Sequence, residues 1–362
     1  MRLHTSSSAT RLVTGTLGAC LALSMAACSA SPAASSSSPS ATASTQTITD
    51  QSQRTVSVPT SINRIADSWP AHTEVLMLLG AGNKIVATAN TPKSSPWMFT
   101  VQPSLRNAVT TNAQNFNTEA LAEKQPDIHF MSPGTTNSDK IQAMGIPTVQ
   151  LYFSTYEQMK QTISITGQIL GKDASARAAA YDAYLDHTVS DVQKVTATIP
   201  AASKPKVLHI QSLEPLQVDG SDTIIDQWIK DAGGVNAAQS ITGNKKPVSI
   251  EQVTAWNPDV VIIGTGDPGS AAALEKDPAW AGVKAVQDKK VYSNPAGVFQ
   301  WDRYSPEAVL ELPWAAKTLH PELFPNTDMN SLVKQYYQQF LNYPLSDAQA
   351  QLILAGRPPA NS

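Results

Sequence analysis

Apolar residues along the chain fall into short uninterrupted runs separated by stretches with helical spacing. Arg54–Pro59 (RTVSVP) alternates like a half-exposed strand, whereas Ile62–Trp69 and Lys84–Ala89 read as core strands on either side of an apolar helix, Ala71–Leu79. Asp127–Met131 and Thr148–Phe153 are two further strands, with a helix at Ser138–Met144 between them. Strands that alternate with helices predict a mostly parallel sheet with helices on its faces. Segment 173–199 breaks this rhythm. It opens at Asp173, contains no Gly or Pro, and predicts one helix roughly 40 Å long at about 1.5 Å per residue. Either it is a surface helix of a single domain or it is a rigid spacer between two lobes. The spacer is the sharper reading, because the alternation resumes directly after it. Strands are then expected at Lys206–Gln211, Leu216–Asp219, Val260–Ile263 and Lys290–Ser293. Helices are expected at Asp222–Asp231, Ser305–Leu319, Asn330–Leu341 and Asp347–Ala355.

Two stretches repeat one another. Asn117–Ser132 (NTEALAEKQPDIHFMS) and Ser249–Gly264 (SIEQVTAWNPDVVIIG) align without a gap through Glu119/Glu251, Pro126/Pro258 and Asp127/Asp259. In each, Asn or Ser caps a short helix whose first turn carries a Glu suited to the positive helix end. Pro-Asp stops that helix, since the residue before a proline avoids helical angles. The unbroken apolar run that follows reads as a parallel strand buried on both faces. One such unit in each half predicts two similar α/β lobes with a working cleft between them.

Residues 1–27 are a leader rather than part of the fold. Arg2 and Arg11 come with no acid, an apolar stretch follows, and Met25-Ala26-Ala27-Cys28 ends it like a lipobox. Cys28 is the expected lipidated residue; Cys20, or a simple cleaved signal, is the alternative. The Ser/Ala/Pro-rich residues 28–46 cannot bury a core and predict a flexible tether. This gives an N-terminal lobe at 47–172, a bridging helix at 173–199 and a C-terminal lobe at 200–362. The two cysteines, Cys20 and Cys28, lie in the leader and at the first position of the tether, so no disulfide is expected within the folded lobes. Losing Arg2 and Arg11 takes the formal charge from −3 to −5, and no basic cluster points to nucleic acid. The expected location is extracytoplasmic, anchored to the membrane by lipid alone.

Arg64-Ile-Ala-Asp-Ser-Trp-Pro-Ala-His-Thr-Glu74, Leu78-Leu-Gly-Ala-Gly-Asn-Lys-Ile-Val86, the two Pro-Asp units, and Asp277-Pro-Ala-Trp280 with Lys289-Lys-Val-Tyr292 form an ordered set. That set resembles substrate-binding proteins of bacterial ABC importers for iron–siderophore, haem and cobalamin. Gly297-Val-Phe-Gln-Trp-Asp-Arg-Tyr-Ser-Pro-Glu307 and His320-Pro-Glu-Leu-Phe324 resemble a branch of metal- or haem-uptake receptors. The likeness covers nearly all of residues 47–340. It implies two Rossmann-like lobes bridged by one long helix, with the ligand between them. The implied role is capture of a metal complex, a ferric siderophore or haem, by a monomer that delivers it to the importer's permease without a cofactor. An oxyanion such as molybdate or tungstate, or cobalamin, is the alternative guest. An extracytoplasmic enzyme on the same scaffold is the alternative from another class. No GxSxG, HExxH, Walker loop or GxGxxG supports it.

Ligands of open α/β sheets sit beyond the carboxyl ends of the strands. Trp69, Trp97, Tyr152, Tyr156, Phe299, Trp301 and Tyr304 fall in those loops, a concentration in a chain only 6% aromatic. Such rings either stack on a conjugated ligand or pack their own loops. Arg303 offers a planar fork for an anionic group, or else pairs with Asp302 or Glu307. His72 is a ligand contact or a packing residue at the start of the first helix, and no His/Cys cluster has the spacing of a metal site. By the resemblance, Glu74 docks onto permease arginines unless it is an ordinary solvated helix residue. On the C-terminal lobe Lys230 stands where the matching acid is expected, so either Asp226 or Asp231 substitutes or docking is asymmetric.

Overall fold

The computed structural model describes residues 44–111, 117–135, 138–264 and 269–360. The leader, Cys28 and most of the tether lie outside the described residues. An antiparallel hairpin of β1 (Thr45–Thr49) and β2 (Thr55–Pro59) opens the fold, so ordered structure begins two residues inside the expected tether.

The first sheet is wholly parallel. It joins β3 (Ile65–Asp67), β4 (Ile85–Thr88), β5 (Val109–Thr110), β6 (Ile128–Met131) and β7 (Thr148–Gln150) in the order β5-β4-β3-β6-β7. The second sheet holds β8 (Lys206–Leu213), β9 (Leu216–Val218), β10 (Val235–Asn236), β11 (Lys246–Pro247), β12 (Val260–Ile263) and β13 (Val291–Ser293). Its order is β11-β9-β8-β12-β13, with β10 also on β8; β9 is antiparallel to both of its neighbours, β8 and β11, and the other pairings are parallel.

The repeated Pro-Asp units occupy equivalent places in the two sheets. Asn117 caps Thr118–Lys124 and Ser249 caps Ile250–Trp256, and both helices end in a left-handed residue, Gln125 or Asn257. Asp127 then accepts hydrogen bonds from the Asn63 and Arg64 amides at 2.8 Å, ahead of β3. Asp259 accepts the Lys206 amide at 2.8 Å, at the start of β8. Each aspartate thus pins the neighbouring strand in register with its own, Ile65 beside Ile128 and Val207 beside Val260.

The long helix is Lys172–Thr196, 25 residues, three shorter at its carboxyl end than expected. Its inner face carries Ala174, Ala178, Tyr181, Leu185 and Val192 at helical spacing. The helix before it, Tyr156–Leu170, has no counterpart in the sequence reading, because its Thr-rich pattern and Gly167 weaken the helical signal. Gly167 sits where the two helices touch: a Cβ would stand 3.2 Å from the Ala174 carbonyl and from the Ala178 Cβ, a tight contact. One apolar cluster runs from Ile65 and Leu76 of the first sheet layer through Tyr181 to Trp228, Trp301 and Tyr336. A separate cluster around Leu208, Val261 and Trp280 covers the other face of the second sheet.

Candidate functional site

Four rings cross from the first sheet layer to the second. Trp69, in the loop after β3, stacks on His72 with centroids 5.9 Å apart and 9° between planes. Phe153, in the loop after β7, lies 5.4 Å from Trp69 on one side and 5.9 Å from Tyr304 on the other. Trp69, Tyr152, Phe153 and Tyr304 line a cavity of about 630 Å³ together with Gln51, Ser52, Ser132 and Pro133. Tyr304 adopts a positive φ of 45°, unusual for a bulky residue, and its hydroxyl is engaged by the Asn244 side-chain amide. Tyr152 is an exposed ring at the rim. The rim also contains Ser132, at the end of the first repeat.

Behind Tyr304 lies a buried ionic chain. His209 on β8 bridges two carboxylates, with Nδ1 2.8 Å from Asp219 and Nε2 2.9 Å from Asp302. Burial would lower the imidazole's pKa, but the hydrogen bonds to both aspartates carry it up to about 9, so it is held as a cation. Burial would raise Asp302, yet Arg303 and His209 outweigh it and hold that carboxyl at about 2. Arg303 donates Nε and Nη2 to Asp302 and Nη2 to the Gly264 carbonyl as well. Gly264, at the end of the second repeat, is packed so closely that an added Cβ would stand 2.7 Å from His209 Nε2.

Two neighbouring buried carboxylates, Glu74 and Glu307, complete the frame of the loop bearing Tyr304. Glu74, from the first helix (His72–Leu78), accepts Ser305 Oγ at 2.6 Å and the Tyr336 hydroxyl at 2.9 Å. Glu307 accepts the Tyr337 hydroxyl at 2.6 Å and the Phe299 amide at 2.9 Å. Burial, then the neighbouring Glu307, pushes Glu74 well above the usual carboxylate range. Burial likewise pushes Glu307 up to about 7.

The structure therefore sorts the expected ligand residues into three groups. Trp69, Tyr152 and Tyr304 share the aromatic cavity. Trp97 and Phe299 line a different one. His72, Tyr156, Trp301 and Arg303 are buried and line neither of these two cavities, against the expectation that they face the cleft. His72 bonds Thr166 at 3.0 Å and packs on Phe130, and the Arg303 fork is occupied by Asp302. The two docking acids are corrected as well. Glu74 is fully buried, and Asp226 is 5% exposed with its carboxylate on Lys230 and Asn236, so neither presents a charge to a partner. Phe153 and the His209–Asp219 link were missed. Phe153 follows Tyr152 in the same strand-end loop, so its position was the available signal; nothing local to His209 marked its partners. Among the described residues no group of three or more His, Cys, Asp or Glu could hold a metal ion, and no helix is long and apolar enough to cross a membrane.

Two α/β layers joined by a long helix, with a ring-lined cavity beyond the carboxyl ends of their strands, define a two-lobed solute-binding fold. The chain belongs to the periplasmic binding protein family, whose model matches residues 68–297. It is 27% identical over 319 residues to the molybdate-binding protein MolA of Haemophilus influenzae, covering 81% of this chain and 90% of that one. It is 25% identical over 191 residues to the iron-uptake system-binding protein of Bacillus subtilis, covering 49% and 58%. A periplasmic solute binding protein of Veillonella parvula superposes with a TM-score of 0.75 at 28% identity, covering 86% and 97%. These relatives are solute-binding proteins rather than enzymes.

Proposed function

We propose that this protein is the extracytoplasmic receptor of an ABC importer and that its guest is a metal complex with a flat or conjugated ligand, a ferric siderophore or haem. The single observation that carries this reading is the aromatic cavity of about 630 Å³, lined by Trp69, Tyr152, Phe153 and Tyr304. Ring faces and edges suit a porphyrin or catecholate, and the volume suits a small-molecule guest. No cationic side chain lines that cavity among the described residues, an arrangement poorly matched to a bare oxyanion. The lobes, 47–172 and 200–362, hold the guest between them; Cys28 carries the lipid that keeps the receptor beside its permease.

A second reading, molybdate or a similar oxyanion, is favoured by the likeness to MolA along most of both chains. A thermal-shift panel of haem, ferric catecholate, ferric hydroxamate, cobalamin, molybdate and tungstate separates the two. A melting rise with haem or a ferric siderophore supports the first reading. A rise confined to the oxyanions overturns it in favour of the second.

A further inference from the structure

A second cavity, of about 600 Å³, shares no lining residue with the aromatic one. Its walls come from the loop Ala89–Trp97, the segment Ala296–Gln300 and the last turn of the described chain, Gly356–Pro358. That last turn is fixed in place. The Trp97 indole N–H donates to the Arg357 carbonyl at 2.8 Å, and the Arg357 amide donates to the Leu352 carbonyl at 2.8 Å. Gly356 takes a φ of +63°, and a Cβ there would stand 2.9 Å from the Asn294 carbonyl. Arg357 therefore projects from an anchored backbone.

Its guanidinium is unlike those of the other described arginines. Arg54 and Arg64 pair with Asp50 and Asp127, Arg106 lies over the Phe99 ring, Arg177 bonds the Leu78 and Phe340 carbonyls, and Arg303 pairs with Asp302. Among the described residues the Arg357 side chain has no hydrogen bond, ion pair or ring contact. Lys93, which lines the same cavity from the loop after β4, has none either. No acidic side chain lines the cavity among the described residues, in a chain with more acids than bases. Two unpaired cations on separate walls of one concave surface, with no acid to neutralise them, focus a positive potential into it. A planar guanidinium matches a carboxylate through two parallel hydrogen bonds, and an ammonium adds a point charge for a second carboxylate.

We propose that this cavity is a second, independent binding site for a small polycarboxylate, held by Arg357 and Lys93. The occupant stands between the loop after β4 and the loop after β13, so it ties the two sheet layers together. Phe299 gives it an apolar wall and Gln300 a neutral polar one. The site does not depend on which guest fills the aromatic cavity.

Calorimetric titration of the mature chain with citrate, tricarballylate and inorganic phosphate, at constant ionic strength, tests the proposal. Arg357 and Lys93 are exposed, so Arg357→Gln and Lys93→Gln leave the fold's internal bonds in place. Saturable citrate binding is expected in the wild type. It should weaken at least about tenfold in Arg357→Gln, the scale of one charge-assisted pair, and severalfold in Lys93→Gln. Trp69→Ala, in the other cavity, should leave it unchanged. Absence of saturable citrate binding at millimolar concentration, or equal affinity in Arg357→Gln and wild type, overturns the site. Phosphate binding that excludes citrate overturns the ligand class.

Discussion

Glu307→Gln is the most informative single perturbation of the frame behind the cavity. The native carboxyl is wholly buried, and burial lifts its pKa from 4.5 to about 7. A folded-state value above the unfolded one means that the native protein binds the proton more tightly. The associated stability is fully present below pH 4.5 and is lost as pH rises through about 7. Between pH 5 and pH 8 that single group should withdraw about 2–3 kcal/mol from the folded state, at about 1.4 kcal/mol per pH unit of difference. Other groups titrate in the same range. Burial and Asp302 raise Glu311 to about 8, and His209 stands at about 9, both with the same sign. Burial holds His129 down to about 3, so it opposes them below its usual value. A difference between two proteins removes these shared contributions; Glu74, which Glu307 helps to raise, is raised less in the variant and adds to the difference in the same direction. Glutamine is neutral at every pH and keeps one acceptor for Tyr337 or the Phe299 amide, so at low pH, where native Glu307 is protonated, the variant is less stable by only about 1 kcal/mol. Urea unfolding of both proteins at half-unit steps from pH 5 to pH 8 should show the wild type losing about 2–3 kcal/mol more than the variant. Curves that stay parallel within about 0.5 kcal/mol would mean that Glu307 is ionised in the fold, and the reasoning would be wrong.

Three further outcomes follow from the buried ionic chain and the cleft. Gly264→Ala forces a methyl against Asp302, Arg303 and His209 and should destabilise by roughly 1–3 kcal/mol in denaturant titration; an unaltered midpoint contradicts the packing drawn for the repeat's end. Asp219→Asn removes one of the two carboxylates that hold His209 protonated. The imidazole midpoint followed by NMR should move down from about 9 by about one pH unit or more, and an unmoved midpoint would sink the bridging role. Glu74→Gln should be tolerated far better than Glu74→Lys, which buries a cation beside Ser305 and Tyr336; equal stability of the two, by thermal melting, would return Glu74 to the surface.

Much of the architecture was legible because it is written in local patterns. The paired Pro-Asp units carried their own caps and stops, and both aspartates pin the strand beside them. The bridging helix showed as a long stretch without Gly or Pro. The site was harder to read because strand-end position identifies a loop without saying which way a side chain points. Trp69 and Tyr304 turn into the cavity, while Trp301, three residues from Tyr304, is buried in the core. Glu74 failed for a related reason. A helical acid is ordinarily solvated, but Ser305 and Tyr336 reach it from more than 230 residues away along the chain. Arg303 had two readings, and the nearer partner, Asp302, holds it. These are meetings in space between distant segments, and no local spacing encodes them.

The central claim is that the guest sits between the rings of the two lobes. A crystal structure of the mature chain, with the panel compound that most raises its melting temperature, tests that claim directly. The account predicts ligand density in contact with Trp69 and Tyr152 on one side and Tyr304 on the other. Density elsewhere, with those three rings unchanged and untouched, would contradict it.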